Sequence, residues 1–144
     1  MDRTFYNEGD LRAFAGRFAL KLRRGDVVGL SGPLGSGKTT FVKAAVEAIS
    51  GCDAATSPTF TFWHRYEATI PIDHLDFYRV ETAGEAANLG VEEAFDGRSI
   101  VFVEWPENAP ELLPSARFSV ELQGKGAEPR TIAWKGPREL HLEA

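Results

Sequence analysis

Residues 32–39 read Gly32-Pro33-Leu34-Gly35-Ser36-Gly37-Lys38-Thr39, and Thr40 repeats the hydroxyl. The octet fits G-x-x-x-x-G-K-[ST] without a mismatch, and each fixed position has a physical reason. Glycines let the backbone turn tightly enough for successive N–H groups to face one oxyanion. The lysine adds a cation near the outer phosphates, and the hydroxyl after it is a ligand for Mg2+. A chance match in a chain of this length is on the order of one in a hundred or less at average residue frequencies. The flanks agree with the motif. DVVGLSG (26–32) is a short apolar strand, and FVKAAVEAIS (41–50) has helical periodicity and stops at Gly51. Strand, glycine loop and helix form the first half of an α/β nucleotide-binding unit, with the helix dipole aimed at the anion.

Working outward, residues 3–6 form a short strand. Asn7 caps a helix over 8–23, in which Leu11, Phe14, Ala15, Phe18 and Leu22 recur at helical spacing. Its other face carries Arg12, Arg17, Lys21, Arg23 and Arg24, read as a solvated surface, and Gly25 ends it. Beyond the loop helix, 58–67 and 69–78 read as an antiparallel pair linked near Glu67–Ala68. Residues 82–95 give one or two short helices. SIVFVEW (99–105) is an apolar run ending in an acid, as expected of a buried strand in a partly parallel sheet. PENAPELLP (106–114) is a turn with a helical turn, and ARFSVELQ with RTIAWK closes the chain as a hairpin around GKGAEP. The expected fold is α/β: a P-loop NTPase-like mixed sheet flanked by helices, with a C-terminal β-hairpin, in a single domain over 1–144.

Bulk properties exclude several classes. The chain has 144 residues, enough for one domain with a real core. Its net charge of −5 makes it a poor autonomous nucleic-acid binder, although a partner subunit can supply basic surface. Cys52 is the single cysteine, so neither an internal disulfide nor a multi-cysteine metal site is available. The polar start MDRTFYNEGD lacks a signal-peptide core, and no run approaches the ~18 apolar residues of a membrane helix. A cytoplasmic protein is expected.

Hydrolysis needs acids to position Mg2+ and a group that orients water. Two strand-end acids compete. Glu104 closes the apolar run Ile100-Val101-Phe102-Val103, and Asp76 lies in HLDFYR (74–79). Strand alternation sends His74, Asp76 and Tyr78 one way and Leu75 and Phe77 the other, so Asp76 faces a cleft while its neighbours pack inward. A bland alternative pairs Asp76 with Arg79. His74 and Tyr78 are read first as hydrogen-bonded structural side chains, and Trp105 as either core packing or a stacking contact. Thr59, in SPTF, is placed where nucleotide switches carry a threonine that touches the γ-phosphate or Mg2+.

GPLGSGKTT, SPTFTF, HLDFYR, LGVEEAF and VFVEWPE occur in order across residues 32–107. Together they resemble the bacterial TsaE ATPases of tRNA threonylcarbamoyladenosine biosynthesis. HxDxYR followed by EWPE is far more specific than the P-loop alone. The resemblance implies a small ATPase that binds the TsaD–TsaB pair and hydrolyses ATP to reset that complex, with tRNA engaged only through it. It implies ATP and Mg2+ as cofactors, held by Gly32, Pro33, Leu34, Gly35, Ser36, Gly37, Lys38, Thr39 and Thr40. Lys38, Thr59, Asp76 and Glu104 are the implied catalytic set, and Thr39, Asp76 and Glu104 the metal set. Asp76 is placed on Mg2+ opposite Thr39 with Glu104 as second metal acid or water-aligning group; the reverse assignment stays open. The chain departs from the family pattern at Pro33, where an acid is common, and at Ala94, where an aromatic is common. A third departure is the short tail RELHLEA, which bears on the base pocket that the resemblance implies the termini help build.

The same loop serves a small-molecule kinase, a GTPase or a nucleotide-gated adaptor. No Arg-rich lid segment lies between the loop and residue 100, which disfavours the kinase. Asn7, Asn88 and Asn108 all lack the Lys and Asp of a guanine-reading NKxD, which disfavours the GTPase.

Overall fold

A computed structural model describes residues 1–51 and 62–142. Seven strands are β1 (Asp2–Phe5), β2 (Val27–Ser31), β3 (Trp63–Tyr66), β4 (Ile72–Asp76), β5 (Ile100–Glu104), β6 (Phe118–Gln123) and β7 (Arg130–Lys135). Three α-helices are α1 (Glu8–Leu20), α2 (Lys38–Ser50) and α3 (Ala83–Asn88), and 3₁₀ turns cover Val91–Phe95, Pro106–Asn108 and Pro110–Leu112. The strands form one mixed sheet in the order β1-β7-β6-β2-β5-β4-β3. The four central strands, β6, β2, β5 and β4, are parallel, while β3 pairs antiparallel with β4, and β7 pairs antiparallel with both β6 and β1.

Alternation along the central strands explains the two cores. Val28, Leu30, Ile72, Ile100 and Phe102 pack with Phe14, Phe18 and Phe41 of α1 and α2 on one face. Val27, Leu75, Val101 and Val103 pack with Ala86, Val91 and Ala94 on the other. Both faces of the parallel strands are covered, so their sequences read as continuous apolar runs. The same period of two decides where the chemistry goes. His74 and Asp76 follow Ile72, and Glu104 follows Phe102, so all three fall on the face that α2 covers. The register aligns Asp76 with Glu104 and Glu104 with Leu30, at the ends of three adjacent parallel strands. Ligands of open α/β sheets bind beyond these carboxyl ends.

Several boundaries differ from the sequence reading. α1 stops at Leu20, three residues early, although Leu22 is still buried. Arg138 of the C-terminal tail donates to the Lys21 carbonyl and forks onto Asp26 at 2.6 and 2.9 Å, while the Arg23 amide donates to Asp26. That network satisfies a helix-end carbonyl and fixes a turn where periodicity alone continues the helix. Gly25 sits in this turn at φ 95° rather than at the helix end. α2 begins at Lys38, one turn earlier than the apolar pattern, because Gly37 takes up the N-cap at φ 107°. The antiparallel pair forms as expected but is shorter, with Tyr66 opposite Ile72; residues 58–61 lie outside the described residues. The basic face of α1 is not simply solvated. Arg12 pairs with Glu47 of α2 at 2.9 Å, and Arg24, which the structure places beyond the end of α1, donates to the Thr69 and Arg98 carbonyls. The N-terminal strand closes the sheet edge against β7, a pairing the sequence did not reveal.

Candidate nucleotide site

The loop between β2 and α2 wraps around its own lysine. Lys38 Nζ donates to the Gly32 and Pro33 carbonyls at 2.7 and 2.9 Å, and its charge lies 4.2 Å from the centre of the Trp105 ring. These contacts fix the ammonium beneath the loop, with only 4% of the residue exposed. Burial lowers the Lys38 pKa, and the nearby carboxylates Glu104, Glu107 and Asp76 oppose that shift. Gly32 has a local reason to be glycine. At φ 143° a Cβ there would lie 2.2 Å from the Leu122 carbonyl of β6.

Beside the loop, the Thr39 hydroxyl donates to Glu104 Oε1 at 2.9 Å, and Glu104 Oε2 lies 2.6 Å from His74 Nε2. Glu104 thus engages Thr39 through one oxygen and His74 through the other. Glu104 is nearly fully buried, so it needs both partners. Asp76 is half-buried and accepts from the Tyr78 amide at 3.0 Å. Burial raises its pKa, the Tyr78 amide lowers it, and the charge of Glu104 adds to the rise. The Tyr78 amide takes the place of the Arg79 ion pair considered from sequence.

Lys38, Thr39, Asp76 and Glu104 line one cleft of about 540 Å³, a size suited to a small-molecule ligand. Its walls are Leu34, Gly35 and residues 37–40 of the loop and α2, Asp76, Tyr78, Glu104 and Trp105, the entry to α1 (Phe5–Glu8), and the hairpin loop residues 126–128 with Arg130, whereas Gly32, Pro33 and Ser36 do not line it. The N-terminus therefore contributes a wall, whereas none of the described tail after Arg130 does. Trp105 sits at φ 58° and ψ 48°, a strained conformation for a bulky residue. Its amide donates to the Leu30 carbonyl, and its ring lies 5.0 Å from that of Tyr78. The ring faces the cleft rather than simply filling the core.

Sequence reasoning brought Lys38, Thr39, Asp76 and Glu104 to one place, and the structure gathers them there. Thr59 lies outside the described residues. His74, expected as a hydrogen-bonded structural side chain, is hydrogen-bonded, and its partner is the buried acid of the site. Arg130 and the hairpin loop were missed, because nothing local in GAEPR marks a residue that reaches back to the P-loop. Among the described residues, no group of three or more His, Cys, Asp or Glu is gathered as a metal cage. A P-loop site for Mg2+ does not require one, since that ion is held by one or two protein oxygens, water and substrate phosphate. The Thr39 hydroxyl with Glu104 and Asp76 fits that donor set.

A lysine-bearing glycine loop, a following helix and an acid ending the neighbouring parallel strand define a P-loop α/β protein. A family model described as threonylcarbamoyl adenosine biosynthesis protein TsaE matches residues 5–132. The chain belongs to the TsaE family. It is 36% identical over 129 residues to the tRNA threonylcarbamoyladenosine biosynthesis protein TsaE of Bacillus subtilis, covering 89% of this chain and 80% of that protein. It is 34% identical over 122 residues to the TsaE of Rickettsia typhi, covering 83% and 84%. The fold superposes on a crystal structure of Bacillus subtilis YdiB with a TM-score of 0.79 and 31% identity, covering 94% of this chain and 84% of that one.

Proposed function

We propose that this chain, as a single domain over 1–144, binds ATP with Mg2+ in the cleft and hydrolyses it. It would act as an accessory protein of tRNA threonylcarbamoyladenosine modification in the cytoplasm. The observation that carries the proposal is the convergence of Lys38, Thr39, Asp76 and Glu104 on one cleft at the carboxyl ends of parallel strands. When bound, Mg2+ neutralises charge on the outer phosphate oxygens. The protein's part is positional. Loop amides and the α2 N-terminus face the phosphates, and Lys38 supplies a fixed cation. Thr39 and Glu104 already share a hydrogen bond, which favours Glu104 as the acid on the metal side and leaves Asp76, facing the cleft, to orient water. Thr59 is retained as the switch-like threonine.

Family membership supports TsaD and TsaB as the partners, with tRNA engaged through them and hydrolysis resetting their complex. No helix among the described residues is long and apolar enough to cross a membrane. The test is phosphate release from ATP with and without the TsaD–TsaB pair, beside an unbiased phosphate-acceptor screen. Stimulation by the pair is expected. Absence of stimulation together with phosphate transfer to a metabolite would replace this reading with a kinase.

A further inference from the structure

We propose that Arg130, on the C-terminal hairpin, is a positioning residue for nucleotide binding that holds the P-loop's phosphate-facing amides in place; the proposal rests on the ATP reading above. Its guanidinium donates from Nε to the Ser36 carbonyl at 3.1 Å and from Nη2 to the Gly35 carbonyl at 3.4 Å. The remaining hydrogen bonds tie it to its own hairpin, from Nη2 to the Gly126 carbonyl at 3.1 Å and from Nη1 to the Glu128 carbonyl. All four partners are carbonyl oxygens. An arginine that merely tidied the surface would be expected on a carboxylate, so this arrangement needs a different reason.

Peptide geometry supplies the reason. Across a trans peptide, the C=O and the following N–H point in opposite directions, and none of the described peptides is cis. Drawing the Gly35 and Ser36 carbonyls toward Arg130 therefore turns the Ser36 and Gly37 N–H groups into the loop. The Ser36 N–H does point inward, donating to the Pro33 carbonyl at 3.1 Å, beside the position of the Lys38 ammonium. A cation on a carbonyl also polarises its amide, so the paired N–H becomes a stronger donor to an anion. The fork matters, because a guanidinium can reach two loop carbonyls and two hairpin carbonyls at once, whereas an ammonium carries three donors on a single nitrogen.

The hairpin also braces the loop at a second point, where the Leu122 carbonyl abuts Gly32. Arg130 itself lines the cleft. The amides it orients belong to the part of a P-loop that cradles the inner phosphates, which ADP and ATP share. Loss of Arg130 should then weaken both nucleotides by one factor.

The experiment is calorimetric titration of ADP and ATP into the full chain, its R130K variant and its R130Q variant, with ¹⁵N–¹H spectra of the free proteins. Both variants are expected to lose about tenfold in affinity for ADP and ATP alike. Turnover at saturating ATP should change far less, and the Ser36 and Gly37 amide signals should move. If R130Q does not fold, R130K decides the matter alone. Wild-type affinity in R130K would overturn the proposal, as would a loss confined to ATP, which means direct contact with the terminal phosphate. Weakened binding with unmoved Ser36 and Gly37 signals would also overturn it, in favour of a general structural role. A wild-type chain that binds neither nucleotide would overturn the ATP reading first, and this proposal with it.

Discussion

The Thr39 hydroxyl and the Glu104 carboxylate meet at 2.9 Å across 65 residues of sequence. One lies in the first turn of α2 and the other at the end of β5, so the contact depends on β2 and β5 being parallel neighbours. The second Glu104 oxygen is taken up by His74, which leaves the carboxylate little freedom to turn. Glu104→Gln keeps the size of the side chain but removes its charge. Mg2+-dependent hydrolysis should fall by about 100-fold or more, the usual scale for losing a group that acts on the reacting water or its metal. Phosphate release measured beside Mg2+-free nucleotide binding checks this, and wild-type turnover would take Glu104 out of the reaction.

Lys38→Ala removes the cation from beneath the loop, together with its hydrogen bonds to the Gly32 and Pro33 carbonyls. Affinity for ATP should drop by roughly 10- to 100-fold, the scale of a charge-assisted contact to phosphate, while far-ultraviolet dichroism stays the same. Unchanged affinity would remove phosphate from the loop altogether.

Asp76 shows where function and stability pull apart. Its pKa is raised, so its ionised form is disfavoured in the folded free protein. Asp76→Asn should therefore melt slightly higher than wild type at neutral pH while losing Mg2+-dependent hydrolysis. The advantage should disappear at pH values below the unfolded pKa near 3.8, where the native carboxyl is neutral in both states. Thermal melts at two pH values measure this directly. A variant with full turnover would return Asp76 to a purely structural role.

Asp73 behaves in the opposite way. It is fully buried, and it accepts from Trp63 Nε1 at 2.8 Å, from Arg65 at 3.0 and 2.8 Å, and from the Ser99 hydroxyl at 2.6 Å. Burial alone would raise its pKa, but the hydrogen bonds from Arg65, Ser99 and Trp63 outweigh it, and the net shift is downward. Its stabilisation is thus present above the unfolded pKa and is lost as pH falls through the lower folded value. Asp73→Ala removes the acceptor of four donor groups on three residues in the β3–β4–β5 corner and should cost about 3 kcal/mol in urea unfolding near pH 7. The gap to wild type should narrow in acid.

What could be read from sequence follows the range of the forces involved. The P-loop was legible because eight adjacent residues carry its whole signature. Leu75 and Phe77 against His74 and Asp76 were legible because a strand alternates its faces. The early end of α1 was not, since Arg138 at the far end of the chain makes the carbonyl contact there. The β1–β7 pairing was equally hidden, because it joins Asp2 to Ala133 and leaves no local pattern. His74 carried a signal in HLDFYR, but only the strand register shows that its partner is Glu104.

The pairing of Asp2 with Ala133 also sets an order of events during synthesis. Asp2 must wait for its β7 partner until Ala133 has left the ribosome. Contacts this distant in sequence are slow to form and leave a strand edge open in the meantime. The glycine loop acquires its Arg130 brace only after 94 residues beyond Ser36 have been added. A nascent or truncated chain ending before that point would carry the motif without the scaffold that shapes it.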